Sequence, residues 1–233
     1  MNWRDLCGAL FGDRHDVTED DELLRGSAHF DGDLLDVLGT TGHAAIGYAM
    51  ALRQARAVLD TIATHPGRTI VLLIDTQGQR LRRHDELLGI HRAMAHLGRA
   101  IDLARRRGHR VLGLVYDQAL SGGFITTGLL ADACHALPNA EIRVMRLPAM
   151  ARVTKLPQEL LETLSVANPV FAPGVENYLR MGGLASLWQG DLAQALRRSL
   201  AELPTEDRRA QDGAERGGRR LAAATVQRIL DAA

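Results

Sequence analysis

A chain of 233 residues, 46% of them hydrophobic, is long enough to close one compact domain around a sizeable core. Its 28 basic residues are balanced by 28 acidic ones, so the bulk charge favours neither nucleic acid nor an anionic membrane, and no apolar run approaches the ~20 residues that span a bilayer. Cys7 and Cys134 lie far apart with no CxxC or His/Cys ligand spacing, which excludes a disulfide scaffold and a structural zinc knot from the reading. The first fourteen residues carry Arg4, Asp5, Asp13 and Arg14 and hold no apolar core. A signal peptide is therefore not expected, and a reducing cytoplasm is the expected compartment.

In chain order, residues 1–28, with the acidic run Glu19 to Glu22, read as an extended or partly ordered arm packed on a partner. From Asp33 a short apolar strand runs to Gly39, and a helix is expected from His43, with Ile46, Met50, Ala57, Val58 and Ile62 at helical spacing. Thr69 to Thr76 is a continuous β-branched and leucine run, the pattern of a strand buried on both faces, and QGQR (77–80) follows as a loop. The next helix is expected from about His84 to Arg107. Leu87, Leu88, Ile90, Met94, Leu97, Ile101 and Leu103 form its apolar side, and Gly108 stands at the C-terminal cap.

Val111 to Asp117 reads as a second buried strand, and helical spacing resumes from Phe124. Short strands are expected at Asp132 to Ala136 and Ile142 to Met145, around an LPNA turn. The remainder reads as mostly helical, with breaks at Pro157, 168–174, Gly182-Gly183 and Pro204. A charged linker over 206–220 precedes a last short helix. The expected organisation is thus an arm (1–28), one domain (29–204) and a charged linker with a C-terminal helix (205–233). Strands alternating with helices make the fold class α/β.

Two strand-to-loop turns carry the chemistry. Gly78 lies in IDTQGQR, and Gly122 and Gly123 lie 44 residues further on in ALSGGF. Glycines just ahead of a helix expose amides that the helix leaves without partners, where the dipole adds partial positive charge. Such a place attracts an oxyanion. The plainer alternative is a tight strand-to-helix turn and an ordinary loop glycine.

These two motifs, followed by GLLADACHALPNAEIRVM, resemble the alpha-type carboxyltransferase half of the crotonase superfamily. More narrowly, LSGGFITTGLLADACHALPNAEIRVMRLPAMARVTKLP and NPVFAPGVENYLRMGGL resemble the gamma subunits of biotin-independent malonate decarboxylases, over residues 30 to 200. Gln77 stands where the general carboxyltransferases place proline. The resemblance implies a crotonase-like spiral of ββα units with peripheral helices, and it implies catalysis with a beta subunit. The substrate would be a malonyl thioester on an acyl carrier protein that bears a phosphoribosyl-dephospho-CoA arm, with an alpha subunit acting as carrier-protein transferase. No cofactor bound directly to this chain is implied. Gly122, Gly123 and Gly78 would supply the catalytic amides, and Gln77, Gln79, Ser121, Phe124 and Lys155 would line the substrate. The alternatives are the alpha-like half of a biotin-dependent carboxyltransferase and a non-catalytic scaffold.

Other residues admit a plainer role beside a functional one. Lys155, the single lysine, suits a carboxylate or phosphate and equally a solvated surface; Gln77 and Gln79 could orient a carboxylate or simply be solvated. Arg80, Arg82 and Arg83 suit phosphate or a solvated face. His84, His91 and His96 form no i,i+4 pair with a completing carboxylate, so no metal is expected. Ser121 lacks a G-x-S-x-G context for a hydrolase elbow, and its hydroxyl is expected to cap the helix. Asp75 could be a base or a turn cap, and Cys134 is expected to be a buried, inert thiol.

Overall fold

The computed structural model describes residues 1–167, 174–180, 182–215 and 221–232. Among these, nine strands form one sheet. In chain order the elements are α1 (Trp3–Phe11), β1 (Thr18–Asp20), β2 (Leu23–Phe30), β3 (Asp33–Thr40), β4 (Ala44–Ile46), α2 (Tyr48–Thr64) and β5 (Ile70–Gln79). They continue with α3 (Arg83–Leu87), α4 (Ile90–Arg106), β6 (Val111–Leu120), α5 (Ser121–Ile125), a 3-10 turn at Gly128–Leu130, β7 (Ala133–Ala136) and β8 (Glu141–Arg143). The last are α6 (Leu147–Thr154), α7 (Gln158–Ala167), α8 (Val175–Arg180), β9 (Ser186–Leu187), α9 (Leu192–Glu202), α10 (Arg209–Glu215) and α11 (Ala222–Asp231). Spatial order is β1-β2-β3-β5-β6-β7-β9, with β4 beside β5 and β8 beside β6. The β1-β2-β3 meander is antiparallel and every later pairing is parallel.

The alternation of side chains along β5 and β6 explains the layering. Val71 and Leu73, with Leu112, Leu114 and Tyr116, face a core shared with Trp3, Leu6 and Leu10 of α1 and Leu192 and Leu196 of α9. Ile70, Leu72 and Ile74, with Val111 and Val115, face the opposite core, closed by Val58 of α2 and Leu97 and Ile101 of α4. Both strands are therefore buried on both faces, as their continuous apolar runs require. Gly39 lies inside β3, where it permits close approach to β5: a Cβ there would fall 2.1 Å from the Leu73 carbonyl oxygen.

The structure corrects several expectations. Residues 1–28 are not an extended arm. Trp3, Leu6, Cys7, Leu10, Phe11, Val17, Leu24 and Ala28 belong to the chain's own core, together with Leu203. His43 precedes a short strand, and the helix begins only at Tyr48, because Ala44–Ile46 pairs with the end of β5. QGQ of the expected loop extends β5. The long expected helix is two, divided at Gly89 in the left-handed region (φ +81°), which leaves Leu87 and Leu88 exposed. Helix α5 starts at Ser121, three residues ahead of Phe124, and β8 ends at Arg143. Gly108, with φ +86°, follows α4 as expected. The expected break at 168–174 lies almost wholly outside the described residues, as does part of the 206–220 linker. Among the described residues no helix is long and apolar enough to cross a membrane.

Candidate active site

The two glycine motifs meet at the carboxyl ends of neighbouring parallel strands, the edge at which open α/β sheets bind ligands. Irregular pairing brings them together: Ile74 and Thr76 of β5 pair with Val115 and Ala119 of β6, so Asp75 faces three residues of its neighbour. Such bulges re-aim side chains at strand ends. Asp75 secures this one, its Oδ2 accepting the His43 N–H at 2.9 Å and its Oδ1 the Gln118 N–H at 3.3 Å. Burial pushes its carboxyl above the ordinary value, and the neighbouring charge of Asp117 adds to that. Asp75 thus caps backbone, the plainer of its two candidate roles.

Next along β5, Thr76 Oγ1 donates to the Ala44 carbonyl at 2.7 Å and accepts the Gly78 N–H at 2.9 Å. The Gly78 amide is therefore engaged within its own strand and is not presented as a donor to substrate. Glycine is needed there for another reason. Its φ is +93°, and a Cβ would lie 2.8 Å from Ser121 Cβ and 2.9 Å from the Leu120 carbonyl oxygen. Gly78 lets β5 pass flush against the turn that leaves β6.

That turn is where the sequence placed it. Ser121 takes a left-handed φ of +51°, and its hydroxyl does not cap α5. It donates to Gln79 Oε1 at 2.9 Å, and the same oxygen accepts the Gly122 N–H at 3.0 Å. Two donors of the glycine turn thus converge on one carbonyl-type oxygen. A Cβ on Gly122 would fall 2.8 Å from that oxygen, and one on Gly123 would fall 2.8 Å from Thr76 Oγ1 and 3.0 Å from Ile46 Cδ1. The N–H of Gly123 is among those for which the helix itself offers no i−4 partner.

The other expected site residues are distributed differently. Phe124 is only 2% exposed and its ring meets Tyr178 edge-on at 5.9 Å, so it belongs to the core and not to a substrate surface. Gln77 is exposed, the extra residue where β4 skips from Thr76 to Gly78. Lys155 is exposed at the C-cap of α6, with φ +62°. Arg80 bonds Ile46 through its backbone, while Arg82 and Arg83 are exposed around the start of α3. Cys134 is buried, and burial pushes its thiol up to about 12.

One grouping has no local trace in the sequence. His43 Nε2 lies 3.3 Å from Asp117 Oδ2 and 3.7 Å from Asp75 Oδ1, which places three potential metal-ligand atoms within 4.8 Å of one another. It depends on the β5–β6 irregularity, which no spacing rule reveals.

The mixed sheet with helices on both faces is the crotonase-like carboxyltransferase fold of the solved structures that it resembles. The sequence matches the family described as malonate decarboxylase gamma subunit over residues 41–233, and the chain belongs to that family. Among solved structures it is similar to a chain of a Pseudomonas malonate decarboxylase hetero-tetramer crystallised with coenzyme A. That similarity has a TM-score of 0.80 and 26% identity, over 97% of each chain. It is also similar to a chain of the Pseudomonas MdcD-MdcE hetero-dimer, at TM-score 0.77 and 27% identity, over 97% of this chain and 96% of that one. A curated relative, the malonyl-S-ACP:biotin-protein carboxyltransferase MADD of Malonomonas rubra, is 34% identical over 151 residues, or 61% of this chain. The match spans about half, 52%, of that relative's length.

Proposed function

We propose that this chain is one half of a decarboxylase that acts on a malonyl thioester, pairing with a beta subunit to form the active site. The carrier would be an acyl carrier protein bearing a phosphoribosyl-dephospho-CoA arm, loaded through an alpha subunit. The observation that carries the reading is the convergence of the Ser121 hydroxyl and the Gly122 N–H on a single oxygen, 2.9 and 3.0 Å away. A turn that binds the side-chain carbonyl of Gln79 in this way is suited to a thioester carbonyl. The family to which the chain belongs supplies the substrate class.

The chemistry follows from that contact. As the bond between the α-carbon and the carboxylate breaks, its electron pair moves into the thioester carbonyl. Carbon dioxide leaves, and an enolate oxyanion remains to take up a proton at the α-carbon. No protein nucleophile is required. Donors already fixed where the charge develops lower the barrier, each by about 2.7–4 kcal/mol. The Gln79 oxygen must withdraw for the substrate oxygen to enter, and the Gly123 N–H supplies a further donor once it does.

A second reading draws on the curated relative, whose name specifies transfer to a biotin protein. Here the carboxyl group would pass to biotin instead of leaving as carbon dioxide. A third makes the chain a scaffold for its partner. Reconstitution with a beta subunit and a malonyl-loaded carrier protein separates the three. The first requires carbon dioxide release by the pair, none by either half alone, and no effect of avidin. Avidin inhibition would favour the second, and undiminished activity in turn-residue variants would favour the third.

A further inference from the structure

Strand β8 places an arginine beside the glycine turn. It pairs in parallel with the end of β6, with Gln118 opposite Glu141, Ala119 opposite Ile142 and Leu120 opposite Arg143. Leu120 is the residue just before Ser121, so Arg143 starts one strand spacing, about 4.8 Å, from the backbone that enters the turn. Ile142 is fully buried, which fixes the strand and leaves Arg143 little freedom at its root. The Arg143 side chain retains 26% of its exposure.

Its electrostatic setting is incompletely neutralised. Arg143 Nε lies 2.9 Å from Glu141 Oε1, without the alignment of a hydrogen bond. The other Glu141 oxygen accepts from Gln118 Nε2 at 3.0 Å, and Arg146 Nε approaches Oε1 at 3.8 Å. One carboxylate thus faces two guanidinium groups, leaving the cluster about one unit positive. The Tyr178 phenol, whose pKa is raised chiefly by burial, feels the positive charge of Arg143 pulling the other way. Tyr178 in turn packs on Phe124 of α5, so the phenol that feels the Arg143 charge packs on the same short helix that the turn opens.

We infer that Arg143, held by Glu141, recognises the free carboxylate of the acyl group bound at the Ser121–Gly123 turn and thereby selects malonyl over acetyl thioesters. The inference rests on the proposed site at that turn. A guanidinium fork suits a carboxylate, and sharing it with Glu141 limits its grip on a charge that must move to the thioester oxygen as neutral carbon dioxide leaves. The same device favours product release, because the acetyl thioester offers it no anion.

The test measures binding of malonyl-CoA and acetyl-CoA to the assembled complex by calorimetry, for the native chain and for Arg143→Ala and Arg143→Lys. Arg143→Ala is expected to weaken malonyl-CoA binding about tenfold while acetyl-CoA binding stays within about twofold, and Arg143→Lys should fall between. Unchanged acetyl-CoA binding also certifies the fold. Equal losses for both thioesters, or no loss, would overturn the inference. So would an Arg143→Ala effect that vanishes with malonyl-pantetheine, which lacks the nucleotide phosphates, because the arginine would then be reading phosphate. Gly122→Ala in the same complex separates the two levels. Retained turnover there would refute the site itself, whereas lost turnover with unaltered selectivity in Arg143→Ala would refute only the role of Arg143.

Discussion

The side-chain oxygen of Gln79 sits 3.0 Å from the amide nitrogen of Gly122, joining the end of β5 to the first turn of α5. The contact spans 43 residues of sequence and occupies the donor that the proposed chemistry needs. Gln79 thus fills the proposed oxygen position itself, where its place in the motif implied a direct contact with substrate. Replacing it by alanine is expected to strengthen binding of a thioester analogue to the assembled complex about three- to tenfold, because no internal hydrogen bond then has to break. The same change removes one anchor of the turn and should lower the melting temperature by about 2–4 °C. Weaker analogue binding would restore Gln79 to the substrate contacts.

The two turn glycines should differ in their tolerance of a methyl group. A Cβ on Gly123 meets Thr76 and Ile46, whereas one on Gly122 meets the end of a flexible glutamine side chain. Gly123→Ala is expected to cost about 1–3 kcal/mol of stability, the usual penalty of overpacking, and Gly122→Ala clearly less. Denaturant midpoints would measure both. A valine at Gly123 is accordingly a poor probe of mechanism, since it would disturb the fold before the chemistry.

Acid stability should depend on Asp36. Burial works to raise its pKa, but hydrogen bonds from Arg68, His65 and Thr61 outweigh it, and the carboxyl ends below its ordinary value. The contacts are short, 2.9 Å from Arg68 Nη1 and 2.8 Å from both His65 Nδ1 and Thr61 Oγ1. A carboxylate whose folded pKa is depressed contributes stability above its unfolded pKa, about 3.9, and loses that contribution as pH falls through the folded value. Stability should therefore fall below about pH 4, and Asp36→Asn should flatten the slope. At neutral pH that variant is expected to lose about 1–3 kcal/mol, because Arg68 keeps its charge without the partner. A slope unchanged by the substitution would contradict this assignment.

Both cysteines should be silent in the folded protein. Burial pushes Cys7 up to about 11 and Cys134 up to about 12, and the thiolate is the reactive form. A thiol reagent at pH 8 is expected to label neither residue in the native chain and both in denaturant. Rapid native labelling of either one would contradict the packing described.

What was legible in the sequence follows the range of the interactions. Strands β5 and β6 were readable because a strand buried on both faces needs a continuous apolar run, and Val71 to Ile74 and Val111 to Val115 provide it. The glycine turn was readable because it is local. Helix α1 carried its own signal in Trp3, Leu6, Cys7 and Leu10, but the acidic run Glu19 to Glu22 read as part of an arm, where the structure folds it into the β1–β2 hairpin with Asp21 and Glu22 at positive φ. The Gln79–Gly122 bond, the engagement of the Gly78 amide by Thr76 and the His43–Asp75–Asp117 grouping were not legible. Each depends on how β4, β5 and β6 slip past one another at their ends, and that register is set by packing far along the chain.

The most direct measurement is a crystal structure of the chain assembled with its partner subunit and a malonyl thioester analogue that cannot lose carbon dioxide. The acyl oxygen is expected within about 3.2 Å of the Gly122 or Gly123 nitrogen, with the Gln79 amide turned away. An analogue seated elsewhere, with the Gln79–Gly122 hydrogen bond still intact, would contradict the account.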